Sequence, residues 1–267
     1  MTRSCGSPPE ARPTNPSIEV RFLGHATTLV EIDGVRVLTD PFLRRGLGPL
    51  ARHGPVPDPA DLDVDLVVIS HGHADHFDPR SLAALPGHPT IVVPSGLGAT
   101  IADDPSIAGR VREIAAGESL ELGRLTVRAV PARHWIAPRA PRATPIGYLL
   151  DAGARVYFAG DTGRYPGMRA LAGTVDLALL PIWTWGPHLG PGHLGPRTAA
   201  DALCDIEPRT VIPIHWGTLY PRHLDRVWHR PLVEPAERFE AHARRVAPDV
   251  DVRVLQPGEA TSITLRP

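Results

Sequence analysis

The chain has 267 residues, of which 42% are hydrophobic, and a formal net charge of -1, so it can bury a sizeable core. This balance excludes an intrinsically disordered protein and gives no support to a general nucleic-acid or anionic-membrane binder. Only Cys5 and Cys204 occur, which excludes a disulfide framework and a cysteine-based zinc site. No apolar stretch approaches the roughly 18–20 residues needed to cross a bilayer, and no apolar signal-peptide region is recognisable. We therefore expect a cytoplasmic location.

The first part of the chain changes from an irregular segment to short strands. Residues 1–16 carry four prolines without any periodic pattern, which predicts a disordered tail. Three strands follow, and Asp33-Gly34 is a strong hairpin signal between the last two. Polar residues, His25 and Asp40, end two of these strands, and Asp40 could equally be a plain turn residue. The segment Phe42–Ala60, rich in Gly, Pro and Arg, is predicted to be a loop that serves as a lid or substrate rim. The three predicted strands are Ile18–Leu23, Thr28–Ile32 and Val35–Thr39.

A dense group of ligand-type residues follows the apolar run Val64–Ile69. Within six positions, the sequence presents three histidines and one aspartate. The short, β-branched run predicts a buried strand. Residues two apart in an extended segment point the same way, so His71 and His73 can hold one metal ion together. Asp75 and His76 can face a second ion. The alternative is a solvated histidine-rich loop, but four such residues at the mouth of a buried strand favour metal binding.

The remaining predicted elements alternate between short strands and helices. Strands are predicted at Thr90–Val93, Val111–Ile114, Glu118–Leu122, Leu125–Val130, Arg155–Ala159, Val175–Pro181, Thr210–Ile214, Val252–Leu255 and Thr261–Leu265. Helices are predicted at Ser81–Leu85, Gly96–Ala102, Arg197–Cys204 and Pro235–Arg245.

Three further candidate ligands stand where apolar runs end, which is where α/β architectures place active sites. Alone, His134 could be a surface histidine, Asp161 a glycine-flanked turn and His215 a core histidine. Together with the first group they give two sets of ligands and a shared carboxylate. The sets are His71, His73 and His134 for one ion, Asp75, His76 and His215 for the other, and Asp161 as the bridge.

The order of these residues resembles the metallo-β-lactamase superfamily. The resemblance rests on His71-x-His73-x-Asp75-His76, then His134, Gly160-Asp161-Thr162-Gly163 and His215. It implies an α/β (α+β, four-layer) fold: an αββα sandwich of two mixed β-sheets flanked by helices. The resemblance covers one domain over residues 17–267. Many β-lactamases of this superfamily carry cysteine where Asp161 stands, which disfavours penicillin hydrolysis.

Further motifs resemble one branch of that superfamily, which contains N-acylphosphatidylethanolamine-hydrolysing phospholipase D and, in a related group, L-ascorbate-6-phosphate lactonase. These motifs are Phe22–Thr28, Leu38–Pro41, Pro213–Thr218 and Gly192-His193-Leu194-x-Pro196. The resemblance implies that Asp40 lies behind the metal ligands and orients a ligand imidazole, with His25 in a similar supporting position. It also implies that His193 lies beside the metals.

These observations predict a dinuclear hydrolase that uses a metal-bridging hydroxide on a phosphodiester or another small ester. Five imidazoles suit zinc, manganese or iron, and zinc is the expected metal. Asp75 and His193 are predicted to act in catalysis, His193 by donating a proton or binding an anion. Lactone or thioester hydrolysis on the same metals is the alternative, and a non-catalytic metal-binding protein is a third possibility. The expected partner is a small-molecule or lipid-like ester substrate, without nucleic acid.

Overall fold

The fold is described from a computed structural model, which covers residues 17–136, 140–141, 143–186 and 189–265. The segment 1–16, predicted to be a disordered tail, lies outside the described residues. The strands are β1 (Ser17–Gly24), β2 (Thr27–Ile32), β3 (Val35–Thr39), β4 (Gly46–Leu47), β5 (Leu50–Arg52), β6 (Leu66–Val68), β7 (Thr90–Pro94), β8 (Val111–Ile114), β9 (Ser119–Leu122), β10 (Leu125–Pro131), β11 (Ile146–Asp151), β12 (Arg155–Phe158), β13 (Leu177–Pro181), β14 (Thr210–Ile214), β15 (Leu219–Pro221), β16 (Asp251–Val252) and β17 (Ala260–Thr264). The α-helices are α1 (Pro79–Ala83), α2 (Pro196–Ile206) and α3 (Glu234–Val246). Short 3₁₀ helices cover Pro59–Asp61, Gly98–Ile101, Ala108–Arg110, Pro166–Leu171, Leu224–Arg226 and Arg230–Leu232.

Two seven-stranded mixed sheets account for most of the strands in the described residues. The first has the order β17-β1-β2-β3-β6-β7-β8, antiparallel as far as β3 and parallel beyond it. The second has the order β16-β14-β13-β12-β11-β10-β9, parallel as far as β12 and antiparallel beyond it. The parallel halves bring the carboxyl ends of several strands to one edge of each sheet.

The two sheets share one hydrophobic core because each strand alternates its side chains between two faces. Val20 and Val30 of the first sheet lie in the same buried cluster as Val127 and Leu150 of the second. The opposite face of the first sheet packs against helix α1 through a second cluster that contains Val67. Helices α2 and α3 contribute buried side chains to the cluster of the second sheet. The predicted αββα sandwich is therefore confirmed.

Four strands were not predicted from the sequence. Strand β11 pairs with both β10 and β12, so it is an interior strand of the second sheet. The segment Phe42–Ala60, predicted to be a loop, contains the hairpin β4–β5, which pairs with β15 in a separate three-stranded sheet. Strands β4, β5 and β15 have only two or three residues, which is too short to show a period of two, so the pattern did not reveal these three.

Several predicted elements differ from those observed by one or two residues at an end, and two differ more strongly, in kind or in most of their extent. The helix predicted at Gly96–Ala102 is a single 3₁₀ turn over Gly98–Ile101, which is common for short connecting segments. The strand predicted at Val252–Leu255 is reduced to Asp251–Val252, which pairs only with β14. Among the described residues, no helix is both long enough and apolar enough to cross a membrane.

Candidate metal centre

The candidate site lies at the edge of the sandwich where the parallel strands end. Each candidate side chain comes from the loop that follows a strand, which is where open α/β sheets collect functional groups. His25 follows β1, Asp40 follows β3, the group from His71 to His76 follows β6, His134 follows β10, Asp161 follows β12, His193 lies between β13 and α2, and His215 follows β14.

Three of these residues have left-handed backbone conformations, with φ of 59° at His25, 33° at Asp40 and 65° at His215. Residues other than glycine seldom adopt positive φ, and such residues cluster at functional sites. The sharp turn at each position redirects the chain from its strand toward the site. The backbone N–H of His215 also donates to the carbonyl of His25 at 2.7 Å, which joins the ends of the two sheets.

The first group of imidazoles contains His71, His73 and His134. Nδ1 of His134 donates to the carbonyl of Gly192 at 3.0 Å, and a carbonyl can only accept. Nδ1 of His71 lies 2.9 Å from Oγ of Ser70, whose hydrogen goes to Asp40, so His71 is the donor there. In the neutral rings the Nε2 atoms of both histidines therefore carry lone pairs. They lie 2.9 Å and 3.1 Å from Nδ1 of His73.

The second group contains His76 and His215 and repeats this arrangement. Nδ1 of His76 donates to Oδ2 of Asp40 at 2.7 Å, and Nδ1 of His215 donates to the carbonyl of Trp183 at 2.8 Å. The two Nε2 atoms face each other at 3.0 Å. Oδ2 of Asp75 lies 3.8 Å from Nε2 of His76 and also contacts His25.

Asp161 lies between the two groups. Its Oδ2 is 3.4 Å from Nε2 of His76 and 3.9 Å from Nε2 of His134. Its Oδ1 is 3.2 Å from Nε2 of His215, yet this buried oxygen has no hydrogen-bond partner among the described residues. The two observations agree because Nε2 of His215 has no hydrogen to donate. A buried carboxylate oxygen without a protein donor is costly, and a metal ion beside it would offset that cost.

The donor set fits divalent metal ions. Lone pairs that face one another about 3 Å apart repel unless a cation, either a proton or a metal ion, lies between them. Nitrogens bound about 2.0–2.1 Å from a tetrahedral zinc ion are roughly 3.4 Å from each other, close to the spacing observed. Two of the groupings that could hold an ion are His71 with His73 and His134, and His25 with Asp75, His76 and His215.

Comparisons with known proteins agree with this geometry. A family model described as the beta-lactamase superfamily domain matches residues 35–216. The UPF0173 metal-dependent hydrolase of Methanopyrus kandleri is 33% identical, and the match covers 91% of this chain and 99% of that protein. An uncharacterized protein of Mycobacterium tuberculosis is 35% identical over 92% of this chain and 69% of its own length. The chain belongs to the metallo-β-lactamase superfamily.

A solved structure shows the same metallo-β-lactamase fold. Igni18, described as a novel metallo hydrolase from the archaeon Ignicoccus hospitalis, superposes with a TM-score of 0.71. It is 22% identical, and the match covers 94% of this chain and all of that chain. At this level of identity the likeness concerns the fold alone.

Burial and charge keep most of this metallo-β-lactamase site in the protonation state that metal binding requires. Burial lowers the pKa of His215 to about 3 and that of His134 to about 4. Burial opposes ionisation of Asp161, but the neighbouring His215 and His76 hold its pKa well below the usual value. His76 is the exception, because the charges of Asp161 and Asp75 outweigh its burial and raise its pKa well above the usual value.

The structure brings all the predicted residues to one site, including those expected to support the ligands. Asp40 contacts His76, as its predicted supporting position requires, and His25 lies 3.0 Å from Asp75 through its Nε2. His193 lies beside the ligands, with its Nε2 3.5 Å from Oδ2 of Asp161. Sequence reasoning gave no role to Ser70 or to the carbonyls of Trp183 and Gly192, which fix the ring orientations. Only the position of Ser70 directly before His71 could have drawn attention to it.

Proposed function

We propose that this chain is a dinuclear metal-dependent hydrolase of a small ester bond. The observation that carries the proposal is the pair of Nε2 atoms of His76 and His215, which in the neutral rings both carry lone pairs and face each other at 3.0 Å beside the Asp161 carboxylate. Two neutral rings in this arrangement repel each other, so a proton or a metal ion has to lie between them. Membership of a family that includes named metal-dependent hydrolases supports the same reading.

The residues divide naturally between two ions. One ion would be held by His71, His73 and His134. The other would be held by Asp75, His76 and His215, and Asp161 would contact both ions. Two divalent ions, with zinc the expected metal, would supply a water of lowered pKa and polarise the ester oxygen.

His193 is positioned to donate a proton to the leaving group. Its Nδ1 donates to the carbonyl of Gly190 at 3.0 Å, so Nε2 can carry a second hydrogen only in the charged ring. Burial disfavours the charged ring of His193. The hydrogen bond to Asp161 and the negative charge of Asp161 outweigh burial, so the pKa of His193 is raised. In the hydrolysis, a water molecule releases one proton to solvent, its oxygen bonds to the ester centre, and the bond to the leaving oxygen breaks. Nε2 of His193 then gives its proton to that leaving oxygen.

The chemistry allows two substrate classes. A phosphodiester, the class expected from the sequence, suits hard divalent ions. A lactone or thioester also suits the site, and the cavity above it favours an uncharged substrate, since no arginine is among its described lining residues. The narrower resemblance to the phospholipase D and lactonase branch and the cytoplasmic location remain predictions.

The test is metal analysis combined with an assay on several bonds. The protein is stripped with chelator, reloaded with zinc or manganese, and assayed on bis(p-nitrophenyl) phosphate, p-nitrophenyl acetate, a γ-lactone and a thioester. We expect about two ions per chain and hydrolysis of at least one substrate. Asp161→Ala should lose at least one metal ion and the hydrolytic activity. Asp103→Ala, a control at an exposed position, should keep its metal content and its activity. Full metal content and turnover in Asp161→Ala would overturn the proposal.

A further inference from the structure

The cavity above the candidate metal centre has a volume of about 610 Å³, a size that suits a small organic molecule. Its floor is formed by the ligand-bearing residues, including His73, Asp161 and His215. The cavity therefore leads directly to the atoms that would react.

The walls of this cavity are apolar and come from separate parts of the chain. On one side lie Leu47, Pro49 and Leu50 of the hairpin β4–β5. The indole rings of Trp135 and Trp185 also line the cavity. These rings are 57% and 44% exposed, respectively. Large apolar side chains held open to solvent beside a polar floor are typical of ligand grooves, because they gain free energy only when a ligand covers them.

Away from the metal centre and His193, the described walls of the cavity also present no cation that could pair with an anionic substrate. The sequence contains no lysine, and none of the described lining residues is an arginine. Two arginines of the neighbouring hairpin region are occupied elsewhere. Arg52 donates to the carbonyls of Leu23, Phe42 and Arg44, and Arg44 pairs with Asp78 at 3.3 Å. An anionic group among these walls would lose its hydration without a partner.

We propose that the cavity binds the apolar acyl group of an uncharged ester or lactone, and that Trp135 and Trp185 select its length. This inference rests on the proposed ester hydrolysis and adds the part of the substrate that lies away from the broken bond. Each methylene that the walls bury should strengthen transition-state binding about two- to fourfold.

The experiment measures kcat/KM for the metal-loaded chain on p-nitrophenyl acetate, butyrate, hexanoate and octanoate. We expect kcat/KM to rise about two- to fourfold per methylene through hexanoate. For an ester of matched length whose acyl chain ends in a carboxylate, kcat/KM should be at least about tenfold lower. The carboxylate would find no cationic partner among the described apolar walls. Trp135→Ala and Trp185→Ala should flatten the dependence on length.

The matched control is Trp228→Ala. Trp228 is 45% exposed, like Trp185, but lines a different cleft with Pro231 and Arg238. It should keep the wild-type dependence on acyl length. Equal kcat/KM for all lengths, or equal losses in the three tryptophan variants, would overturn the proposal while leaving ester hydrolysis intact.

A binding measurement separates this proposal from the proposed reaction. Uncharged alkanamides from acetamide to octanamide are titrated into the zinc-loaded protein by calorimetry. Affinity that rises with chain length in the wild type and in Trp228→Ala, but not in Trp135→Ala, supports the apolar site even if no ester is hydrolysed. Affinity independent of length overturns it.

Discussion

At the scale of single residues, the orientation of each ligand ring depends on one hydrogen bond behind it. Asp40 supports two rings at once: its Oδ2 accepts from Nδ1 of His76 at 2.7 Å and from the hydroxyl of Ser70 at 2.5 Å. Ser70 in turn accepts from His71. One fully buried carboxylate therefore positions a ring in each of the two groups. Such partners raise the basicity of the ligand and fix its tautomer.

Replacement of Asp40 by asparagine tests this support. Asp40→Asn keeps the size of the side chain but removes the charge, so His76 and Ser70 lose a strong acceptor. We expect zinc affinity to fall about 10–100-fold, measured by competition with a chromophoric chelator, without loss of the fold. The exposed-site variant Asp103→Asn should bind zinc like the wild type. Equal affinities in the two variants would leave Asp40 as a turn residue only.

Residues of this kind differ in how far the sequence reveals them. Asp40 and His25 stand at strand ends beside a recognisable motif, so position and resemblance together indicated them. Ser70 and Gly192 act through a hydroxyl and a backbone carbonyl, and neither group has a sequence signature. Gly192 also has φ of 77°, and a Cβ there would lie 2.8 Å from both the Arg133 carbonyl and the Cα of His134. The requirement for glycine at position 192 becomes evident only in the structure, where this loop packs against the loop that carries Arg133 and His134.

His193 is the residue whose loss should separate catalysis from metal binding. Its side chain is 19% exposed and contacts Asp161, while the two ligand groups are complete without it. His193→Ala should keep the metal content and lower kcat about 10²–10⁴-fold for alkyl esters, the usual range for a lost proton donor. Nitrophenyl esters should lose less, because their leaving group needs no proton.

The pattern of losses distinguishes the two roles predicted for His193. Equal losses for alkyl and nitrophenyl esters would exclude proton donation and leave substrate binding. Unchanged kcat for both would exclude any role in the reaction. The exposed-site variant His229→Ala is the control and should behave like the wild type in both assays.

At the scale of elements, the long buried strands were predictable and the short pairings were not. Leu66–Ile69 and Val211–Ile214 are continuous apolar runs, as expected for strands covered on both faces. The hairpin β4–β5 has no such run. It forms because β5 pairs with β15, which lies more than 160 residues later in the sequence. In this pairing Leu219 stands opposite Arg52. No local pattern carries that information.

Arg52 fixes this hairpin to the first sheet. Its guanidinium donates to the carbonyls of Leu23 at 3.0 Å, Arg44 at 2.9 Å and Phe42. Burial lowers the pKa of Arg52 to about 10, which still leaves the side chain charged at neutral pH. The hairpin contributes part of the apolar wall of the cavity through Leu47 and Leu50, so we expect Arg52 to limit the mobility of that wall.

Removal of these donors should loosen the hairpin without disturbing the metal centre. Arg52→Met leaves three carbonyls without this partner, at a cost of about 1–3 kcal/mol for each one that stays buried, partly offset because no charge is buried. We expect hydrogen exchange over residues 46–52 to accelerate about tenfold or more and zinc content to stay unchanged. Arg45→Met, at an exposed neighbouring position, is the control. Identical exchange in the two variants would show that Arg52 does not hold the hairpin.

At the scale of the whole molecule, a net charge of -1 conceals a site with strongly shifted pKa values. Burial lowers the pKa of His71 and His73 as well as those of His134 and His215. The composition cannot show this, because the same histidines in an unfolded chain would titrate near about 6.5. The stability of the fold should therefore depend on pH, because these rings have shifted pKa values only when folding buries them together.

The sign of that dependence follows from proton counts. A histidine with a lowered pKa stays neutral in the folded metal-free protein while the unfolded chain takes up a proton below pH of about 6.5. Its stabilising contribution is complete above that pH and is lost as the pH falls. The raised pKa values of His76, His193 and Asp40 act in the opposite direction, but the four lowered histidines outnumber them in this range.

We therefore expect the metal-free protein to lose stability as the pH falls from 7.5 to about 5, by about 1.4 kcal/mol per pH unit for each extra proton bound by the unfolded chain. Urea unfolding at several pH values measures this slope. His134→Asn removes one histidine whose pKa is lowered to about 4 and should reduce the slope by about one proton. The exposed-site variant His229→Asn should leave it unchanged. A wild-type stability that is constant or rises on acidification would contradict the assignment, because the folded site would then bind as many protons as the unfolded chain.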